Sequence, residues 1–200
     1  MRRAVAIFSL LIALGVAFAL QVGARAATLP VSESSRRSAE RVWNAQAQGD
    51  YPDWQSEEPF FVNNLSLFMT PEEIADVLGE AGRTIDEGFN VYGDNIVVRM
   101  RDSLAVNISV SGELGSWKLQ RGGVVYATVG AAKNQVIKRL GKPFARYTRP
   151  DKPWEIIMYA ARQSDIGLFM INDQVHGFML TEAGLLGFSL LYQGFKTAEL

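Results

Sequence analysis

The stretch Val-Gly-Ala-Ala-Lys-Asn-Gln-Val-Ile-Lys-Arg-Leu-Gly-Lys-Pro, residues 129–143, decides the fold that we predict. Apolar residues recur at helical spacing from Ala132 to Leu140, and two basic residues stand in the last turn, where cations complement the helix dipole. Pro143 then ends the helix. Three apolar runs with strand character follow: Trp154–Ala160, Ile166–Ile171 and Val175–Leu180. The sequence therefore predicts a short helix that leads into antiparallel strands.

A similar pattern occurs earlier in the chain and begins with a helix start. Thr70 is placed as the N-cap, Pro71 as the first helical residue and Glu73 as the third, which makes a capping box. Gly79 is placed as the glycine that ends the helix. Alternating strand patterns follow at Asn95–Arg101 and Leu104–Val110, with a third short strand at Trp117 and Leu119.

The two patterns match at an ungapped spacing of 62 residues. The matched pairs are Ile74 with Val136, Leu78 with Leu140, Gly79 with Gly141, Leu104 with Ile166, Val106 with Leu168, and Ile108 with Met170. One unit of about 60 residues buries too little surface to be stable alone, whereas two units can share a core. We therefore predict an α+β domain over residues 62–185 with repeats at about 62–123 and 124–185. Each repeat is a short helix followed by an antiparallel sheet of three to four strands.

The N-terminal residues have the pattern of an export signal. Arg2 and Arg3 precede an apolar run from Ala4 to Leu20, and Ala24-Arg25-Ala26 fits a cleavage site before Ala27. The alternative is an uncleaved membrane anchor, although the run is at the short edge of the roughly 20 residues that span a bilayer. Both interpretations place the rest of the chain outside the cytoplasm, as a secreted, periplasmic or cell-surface protein.

The segments that flank the predicted domain carry less pattern. Residues 27–61 read as a flexible lead, a short helix and an aromatic connector that contains Trp54, Phe60 and Phe61. We expect these aromatic side chains to pack against the domain, because large aromatic residues near a core usually join it. Residues 186–200 form an apolar tail.

Composition excludes several classes of protein. The chain has no cysteine, so it has no disulfide, zinc–thiolate site, cysteine nucleophile or lipid-attachment cysteine. Removing residues 1–26 takes away three arginines and no acidic residue, so 20 Lys and Arg become 17 against 21 Asp and Glu, a formal net charge of −4. A mildly acidic chain without a basic run argues against nucleic acid as a partner. Contact with a membrane is expected only through an uncleaved N-terminal segment.

Two sets of residues resemble known bacterial families. The opening Met69–Gly79 resembles the start of SmpA/OmlA-type domains, which are related to β-lactamase-inhibitor-like folds. The second unit, with Val136–Pro143, Trp154, Tyr159 and Val175–Gly177, resembles the CAP-associated N-terminal domain of secreted proteins. No CAP domain follows residue 185, and the lipobox cysteine is absent. The resemblance implies a secreted, non-catalytic accessory or binding module, and it carries over no catalytic residue.

The residues themselves offer no convincing catalytic or metal site. His176 is the only histidine, and Asp173 lies near it in sequence, but no serine stands in a nucleophile elbow. The acidic pairs Asp50/Asp53 and Glu57/Glu58 lack the spacing of a calcium loop. We therefore expect no catalytic residues, no metal and no cofactor.

Binding is the remaining function, and aromatic residues are its candidates. Trp154, Tyr159 and Phe169 on the second sheet, with Trp117 on the first, are interpreted as a possible exposed patch for a protein or a cell-envelope component. The alternative is that these side chains fill the core between helix and sheet. An exported, non-enzymatic binding or accessory module is thus the leading hypothesis. A secreted inhibitor of a β-lactamase or protease is the second, and a hydrolase with an unrecognised site, for which His176 is the best catalytic candidate, is the third.

Overall fold

The computed structural model describes residues 52–86, 88–113, 115–184 and 195–198. The predicted signal at 1–26, most of the lead and most of the apolar tail lie outside these residues. The described part has two helices, α1 (Pro71–Leu78) and α2 (Lys133–Leu140). Its strands are β1 (Phe61–Val62), β2 (Arg83–Asp86), β3 (Phe89–Tyr92), β4 (Ile96–Arg101), β5 (Leu104–Ser111), β6 (Lys118–Arg121), β7 (Val124–Thr128), β8 (Ala145–Thr148), β9 (Trp154–Ala160), β10 (Ser164–Ile171), β11 (Gln174–Glu182) and β12 (Lys196–Thr197).

Helix α1 begins and ends as the sequence predicts. The Glu73 N–H donates to Thr70 Oγ1 at 3.3 Å, and the Thr70 N–H donates to the Glu73 carboxylate at 2.8 Å, which completes the capping box. Gly79 ends the helix in the left-handed conformation with φ 71°. Ile74 is fully buried and fixes the face that α1 turns to the core.

Helix α2 has weaker signals at its start, yet it forms where the sequence predicts. Its N-cap is Ala132, which has no side-chain acceptor, so only the Gln135 side chain caps it, by accepting from the Ala132 N–H at 3.3 Å. Lys138 and Arg139 lie in the last turn. Buried Val136 and Leu140 hold the helix against the core, and this packing compensates for the poorer cap.

The strands form an antiparallel sheet of nine strands and a small sheet of three. The order in the large sheet is β12-β8-β9-β10-β11-β5-β4-β3-β2, and in the small sheet β1-β6-β7. The large sheet thus contains two four-strand meanders, β2 to β5 and β8 to β11, each preceded by a helix. They join through their last strands, where β11 pairs with β5. The α+β class and the antiparallel sheet are confirmed, while β2, β3, β7 and β8 are strands that the sequence patterns did not predict.

The last hairpin of each meander has the same construction. Asp102 and Ser103 turn β4 into β5 with φ 51° and 61°, and Asn172 and Asp173 turn β10 into β11 with φ 50° and 59°. Each hairpin also has an irregularity in register, between Arg99 and Met100 in the first and between Phe169 and Met170 in the second. These features lie 70 residues apart, whereas the helices begin 62 residues apart.

The ungapped spacing of 62 is therefore wrong for the strands. It matched Leu104 in β5 with Ile166 in β10, whereas by order within the meanders β4 corresponds to β10, and β5 corresponds to β11. The eight-residue difference arises after β8: the loop before β9 is three residues longer than the loop before β3, β9 is three residues longer than β3, and β10 is two residues longer than β4. A strand in which apolar residues alternate matches another such strand equally well after any even shift, so the sequence pattern could not detect this eight-residue insertion.

One apolar cluster joins both helices, both sheets and the connector. It includes Ile74 and Val136 from the helices, Leu119 from the small sheet, and Ile108 and Leu168 from the large sheet. A second cluster lies on the other face of β8–β10 and contains Tyr147, Trp154, Ile156, Met158, Phe169 and Phe195. Strands β9 and β10 are therefore buried on both faces, which explains their almost uninterrupted apolar sequence. Neither helix of the described part is long and apolar enough to cross a membrane.

Candidate binding site

The four predicted aromatic residues do not form an exposed patch. Trp154 and Phe169 are buried together in the second cluster, with their rings edge to face at 5.9 Å between centroids. Tyr159 lies in the main core, 1% exposed, and Trp117 packs against the same core with its indole N–H donating to Ser111 O at 2.9 Å. Successive residues of β9 point to opposite faces, so Trp154 and Tyr159 cannot share one surface. The alternative interpretation, in which these residues fill the core, describes them better.

The aromatic connector packs against the domain as expected. The Trp54 ring stacks on Phe60 on one side and on Tyr159 on the other, with 5.3 Å between centroids in each case. The Tyr159 hydroxyl donates to Gly141 O at 3.0 Å, and burial raises the pKa of Tyr159. The connector is thus tied to the end of helix α2 through Tyr159.

His176 does not gain the partner that a catalytic base needs. It is half-buried in β11, and burial lowers the pKa of its imidazole, which disfavours the charged form. The Asp173 carboxylate lies 3.6 Å from the Lys133 ammonium, so it is engaged elsewhere. Although His176 and Asp173 are close in sequence, they therefore do not form a general base with its orienting acid.

The acidic pairs have structural roles where they are described. Glu57 forms an exposed ion pair with Arg162 at 3.0 Å, and Asp53 accepts from the Gln55 N–H at 3.0 Å in a turn. Asp50 lies outside the described residues. Within the described ranges, no group of three or more His, Cys, Asp or Glu side chains is arranged to hold a metal ion.

A cleft of about 250 Å³ lies beside Trp154, at the end of β9. It is lined by Arg146, Thr148, Lys152, Pro153, Trp154, Glu155, Met170, Asn172 and Asp173. The Lys152 ammonium lies 4.1 Å from the centroid of the Trp154 ring, and the Arg149 guanidinium lies 5.7 Å from it. Both distances are within the range of cation–π attraction. We call this cleft, with its positive, negative and amide side chains, the Trp154 cleft.

A buried ion cluster forms the floor of the Trp154 cleft. The Lys133 ammonium binds both oxygens of the Glu155 carboxylate at 2.7 and 2.6 Å, and Arg146 Nε binds the same carboxylate. The Glu155 side chain is only 10% exposed. Two cations around one buried carboxylate satisfy its oxygens and fix helix α2 to strands β8 and β9. The single acid within the apolar run of β9 was the sequence signal for this cluster, and sequence reasoning missed it.

A second cleft of about 260 Å³ lies at the hairpin between β6 and β7. It is lined by Glu58, Phe61, Asn64, Gln120, Arg121, Gly122 and Gly123, and we call it the Arg121 cleft. Arg121 is only 6% exposed, although it is the last residue before a hairpin turn. Its guanidinium carbon lies 4.6 Å from the centroid of Phe60, so the cation extends the stack of Phe60, Trp54 and Tyr159.

The guanidinium of Arg121 is incompletely satisfied. Its Nη1 atom is buried without a hydrogen-bond partner, and none of the ion pairs between described residues includes Arg121. A buried donor without a partner costs about 1–3 kcal/mol, and the contact with Phe60 offsets about 1–2 kcal/mol of this at most. Sequence reasoning missed Arg121, because an arginine before Gly-Gly looks like an ordinary surface residue of a turn.

Comparison with known proteins leaves the family undefined, since no family model, curated protein or solved structure matches the chain significantly. The resemblance to SmpA/OmlA-type and CAP-associated domains therefore stays a prediction from the sequence.

Proposed function

We propose that this protein is an exported, non-catalytic binding or accessory module that recognises a protein or a cell-envelope component. The observation that supports it best is the Trp154 cleft. Here cationic, anionic and amide side chains surround one opening: Lys152, Asp173 and Asn172 line it above the fixed Glu155 carboxylate. Mixed polar groups on short connections between paired strands suit the recognition of a polar surface.

The groups in the Trp154 cleft are held in positions that favour binding over chemistry. The Glu155 carboxylate already accepts from the Lys133 ammonium at both oxygens and from Arg146 Nε, so its oxygens are engaged within the protein. The Lys152 ammonium lies over the Trp154 indole ring, within the range of cation–π attraction. Neither residue has the environment of a general base or a nucleophile.

We also infer that the domain arose by duplication of a unit made of one helix and four strands. The support is the repetition of local detail: two helices that each lead into a meander, and two hairpins with the same left-handed turn and the same irregularity in register. The units share one cluster of buried side chains. In such an arrangement the two copies are free to diverge in surface chemistry, and the Trp154 cleft belongs to the second copy alone.

Site-specific photo-crosslinking in the native host tests the proposed function. A photoreactive amino acid at Asn172, an exposed residue at the rim of the Trp154 cleft, is expected to give one discrete adduct with an envelope component. The same group at Gln163, an exposed residue that does not line this cleft, is the matched control. The adduct should weaken when Lys152 is replaced by Ala.

Equal labelling from Asn172 and Gln163 would contradict the proposal, as would turnover of peptidoglycan, peptide or ester substrates by the purified mature protein. If turnover is found, His176→Ala identifies the site, because His176 is the best candidate base. The identity of the adduct separates an assembly or accessory role from inhibition, since an inhibitor would capture an enzyme whose activity then falls.

A further inference from the structure

The Arg121 cleft contains a cation that forms no ion pair with another described residue. Arg121 is more than nine-tenths buried, its Nη1 has no hydrogen-bond partner, and it lines an opening of about 260 Å³. A buried guanidinium normally meets a carboxylate or phosphate in a forked pair of hydrogen bonds. The donor without a partner therefore belongs to a residue on the wall of the cleft.

The backbone around Arg121 keeps the opening accessible. Gly122 and Gly123 form the turn that follows it, with φ 57° and 76°, and neither carries a side chain over the guanidinium. A Cβ atom on Gly122 would lie 3.2 Å from the Glu58 carboxylate, so a larger residue there would crowd this wall of the cleft. The left-handed turn favours glycine at both positions, and the close approach of Glu58 favours it further at Gly122.

The remaining walls define the shape and polarity of the ligand. Asn64 and Gln120 supply side-chain amides, of which the Gln120 amide nitrogen already donates to Asn63 O, and Phe61 supplies an apolar ring. The volume fits one small terminal group better than an extended ligand, since typical small-molecule pockets are larger, at roughly 300–1,000 Å³. A planar anion with a short apolar neighbour matches all three features.

We propose that the Arg121 cleft binds a carboxylate that is attached to a small apolar group, such as the C-terminal residue of a peptide. Arg121 pairs with the carboxylate, the side-chain amides of Asn64 and Gln120 contact the adjoining peptide group, and Phe61 covers the small side chain. Glu58 lines the same cleft and repels the incoming carboxylate, so it weakens the site. This inference rests on the proposal that the chain is a binding module, but it concerns a different cleft from the one that supports that proposal.

Titration of the mature chain with defined probes tests this site. The probe is N-acetyl-alanyl-alanine with a free carboxylate, and the readout is the amide NMR shift of Gly122 and Gly123. The control is N-acetyl-alanyl-alanine amide, in which the terminal carboxylate is replaced by an uncharged amide. A third compound, N-acetyl-glutamate methylamide, tests whether an acidic side chain binds as well as a chain terminus. For a ligand of this size we expect saturable binding with a Kd of about 1 mM or below for the free acid and none for the amide.

Variants on both sides of the cleft make the test decisive. Arg121→Gln should weaken binding at least about tenfold, because it removes a charged hydrogen-bond donor. Arg121 is buried, so this substitution is also liable to unfold the protein. Glu58→Gln avoids that difficulty, since Glu58 is exposed, and it should tighten binding by about threefold or more through loss of repulsion.

The outcomes separate this inference from the proposed function. Binding of the free acid that is strengthened in Glu58→Gln supports the site, loss of binding in a folded Arg121→Gln adds to that support, and preference between the two acids identifies the source of the carboxylate. Absence of saturable binding, equal binding of the amide, or no change in Glu58→Gln overturns it. In that event crosslinking from Asn172 still reports on the Trp154 cleft independently.

Discussion

Phe68 and Gly130 occupy the same position, three residues before the first residue of their helices, and both have left-handed backbones. Phe68, with φ 67°, donates its N–H to Ala105 O at 2.7 Å, and Gly130, with φ 90°, donates its N–H to Val175 O at 2.7 Å. Both acceptors lie at the start of the last strand of the following meander. Glycine adopts this conformation without steric cost, whereas a bulky aromatic residue does not. Phe68 therefore holds backbone strain that its counterpart avoids.

Substitutions at Phe68 should reveal that strain. Phe68→Ala loses the ring and keeps the strain, whereas Phe68→Gly loses the ring and relieves it. After allowance for the greater chain entropy of unfolded glycine, the Gly variant should be about 0.5–1 kcal/mol more stable than the Ala variant. Urea unfolding followed by circular dichroism measures the difference. Gly130→Ala is the reciprocal variant and should lose about 1 kcal/mol; an Ala variant at Phe68 as stable as the Gly variant would disprove the strain.

Local signals in the sequence predicted the helices better than they predicted the sheet. Thr70, Pro71, Glu73 and Gly79 act within one helix, so their spacing alone determined where α1 begins and ends. The pairing of β11 with β5 depends on residues about 70 positions apart, and no local pattern encodes it. The repeat spacing failed for the same reason, because an alternating strand matches any even shift.

The candidate sites were less predictable than the fold. Trp154 was predicted as a binding residue for its ring, yet the ring is buried and cationic side chains cover it, and Trp154 contributes by lining a cleft. Arg121 gave no signal, because its burial results from Phe60 in the distant connector. Side chains that meet across long separations define both clefts, and residue type alone does not place them.

Gly177 lies where the two meanders join, in the pairing of strand β11 with strand β5. It lies on β11 opposite Ser111 of β5, and a Cβ atom there would lie 2.4 Å from Val110 O. Gly177→Ala should therefore push the strands apart and lose about 1–3 kcal/mol, as expected for overpacking. Ser109→Ala, in the same strand pair, adds no atom and removes only the hydrogen bond from its hydroxyl to Asn107 Oδ1, so it should lose about 0.5–1 kcal/mol. Thermal unfolding of both variants compares their losses of stability, and equal losses would show that the β11–β5 pairing tolerates a Cβ atom at Gly177.

The ion cluster at Glu155 should be far more important for stability than an exposed pair. Glu155→Gln leaves Lys133 and Arg146 without the carboxylate that binds them, and breaking a buried pair in this way costs about 3–5 kcal/mol. Glu182→Gln is the control, because it breaks the pair with Arg101 whose side chains are 32% and 55% exposed, and it should cost no more than about 1 kcal/mol. Urea denaturation compares them. Similar losses in the two variants would mean that the buried cluster contributes little to the attachment of helix α2.

Tyr159 should make the folded state sensitive to alkaline pH. Burial raises its pKa above the ordinary tyrosine value, so the unfolded chain releases the phenolic proton at a lower pH than the folded chain does. The stabilisation is fully present below the unfolded pKa of about 10 and is lost as pH rises from there towards the folded pKa. Tyr159→Phe removes this titration together with the hydrogen bond to Gly141 O, so at pH 7 it should cost about 1 kcal/mol. Between pH 9 and 11.5 its stability should fall less steeply than that of the unmodified chain, a comparison that urea unfolding at each pH provides.

Tyr92 and Tyr147 also have raised pKa values and titrate in both proteins, so the difference between the two slopes isolates Tyr159. Parallel slopes would show that the Tyr159 phenol reaches water before the domain unfolds, and that its contact with helix α2 is not sealed from solvent.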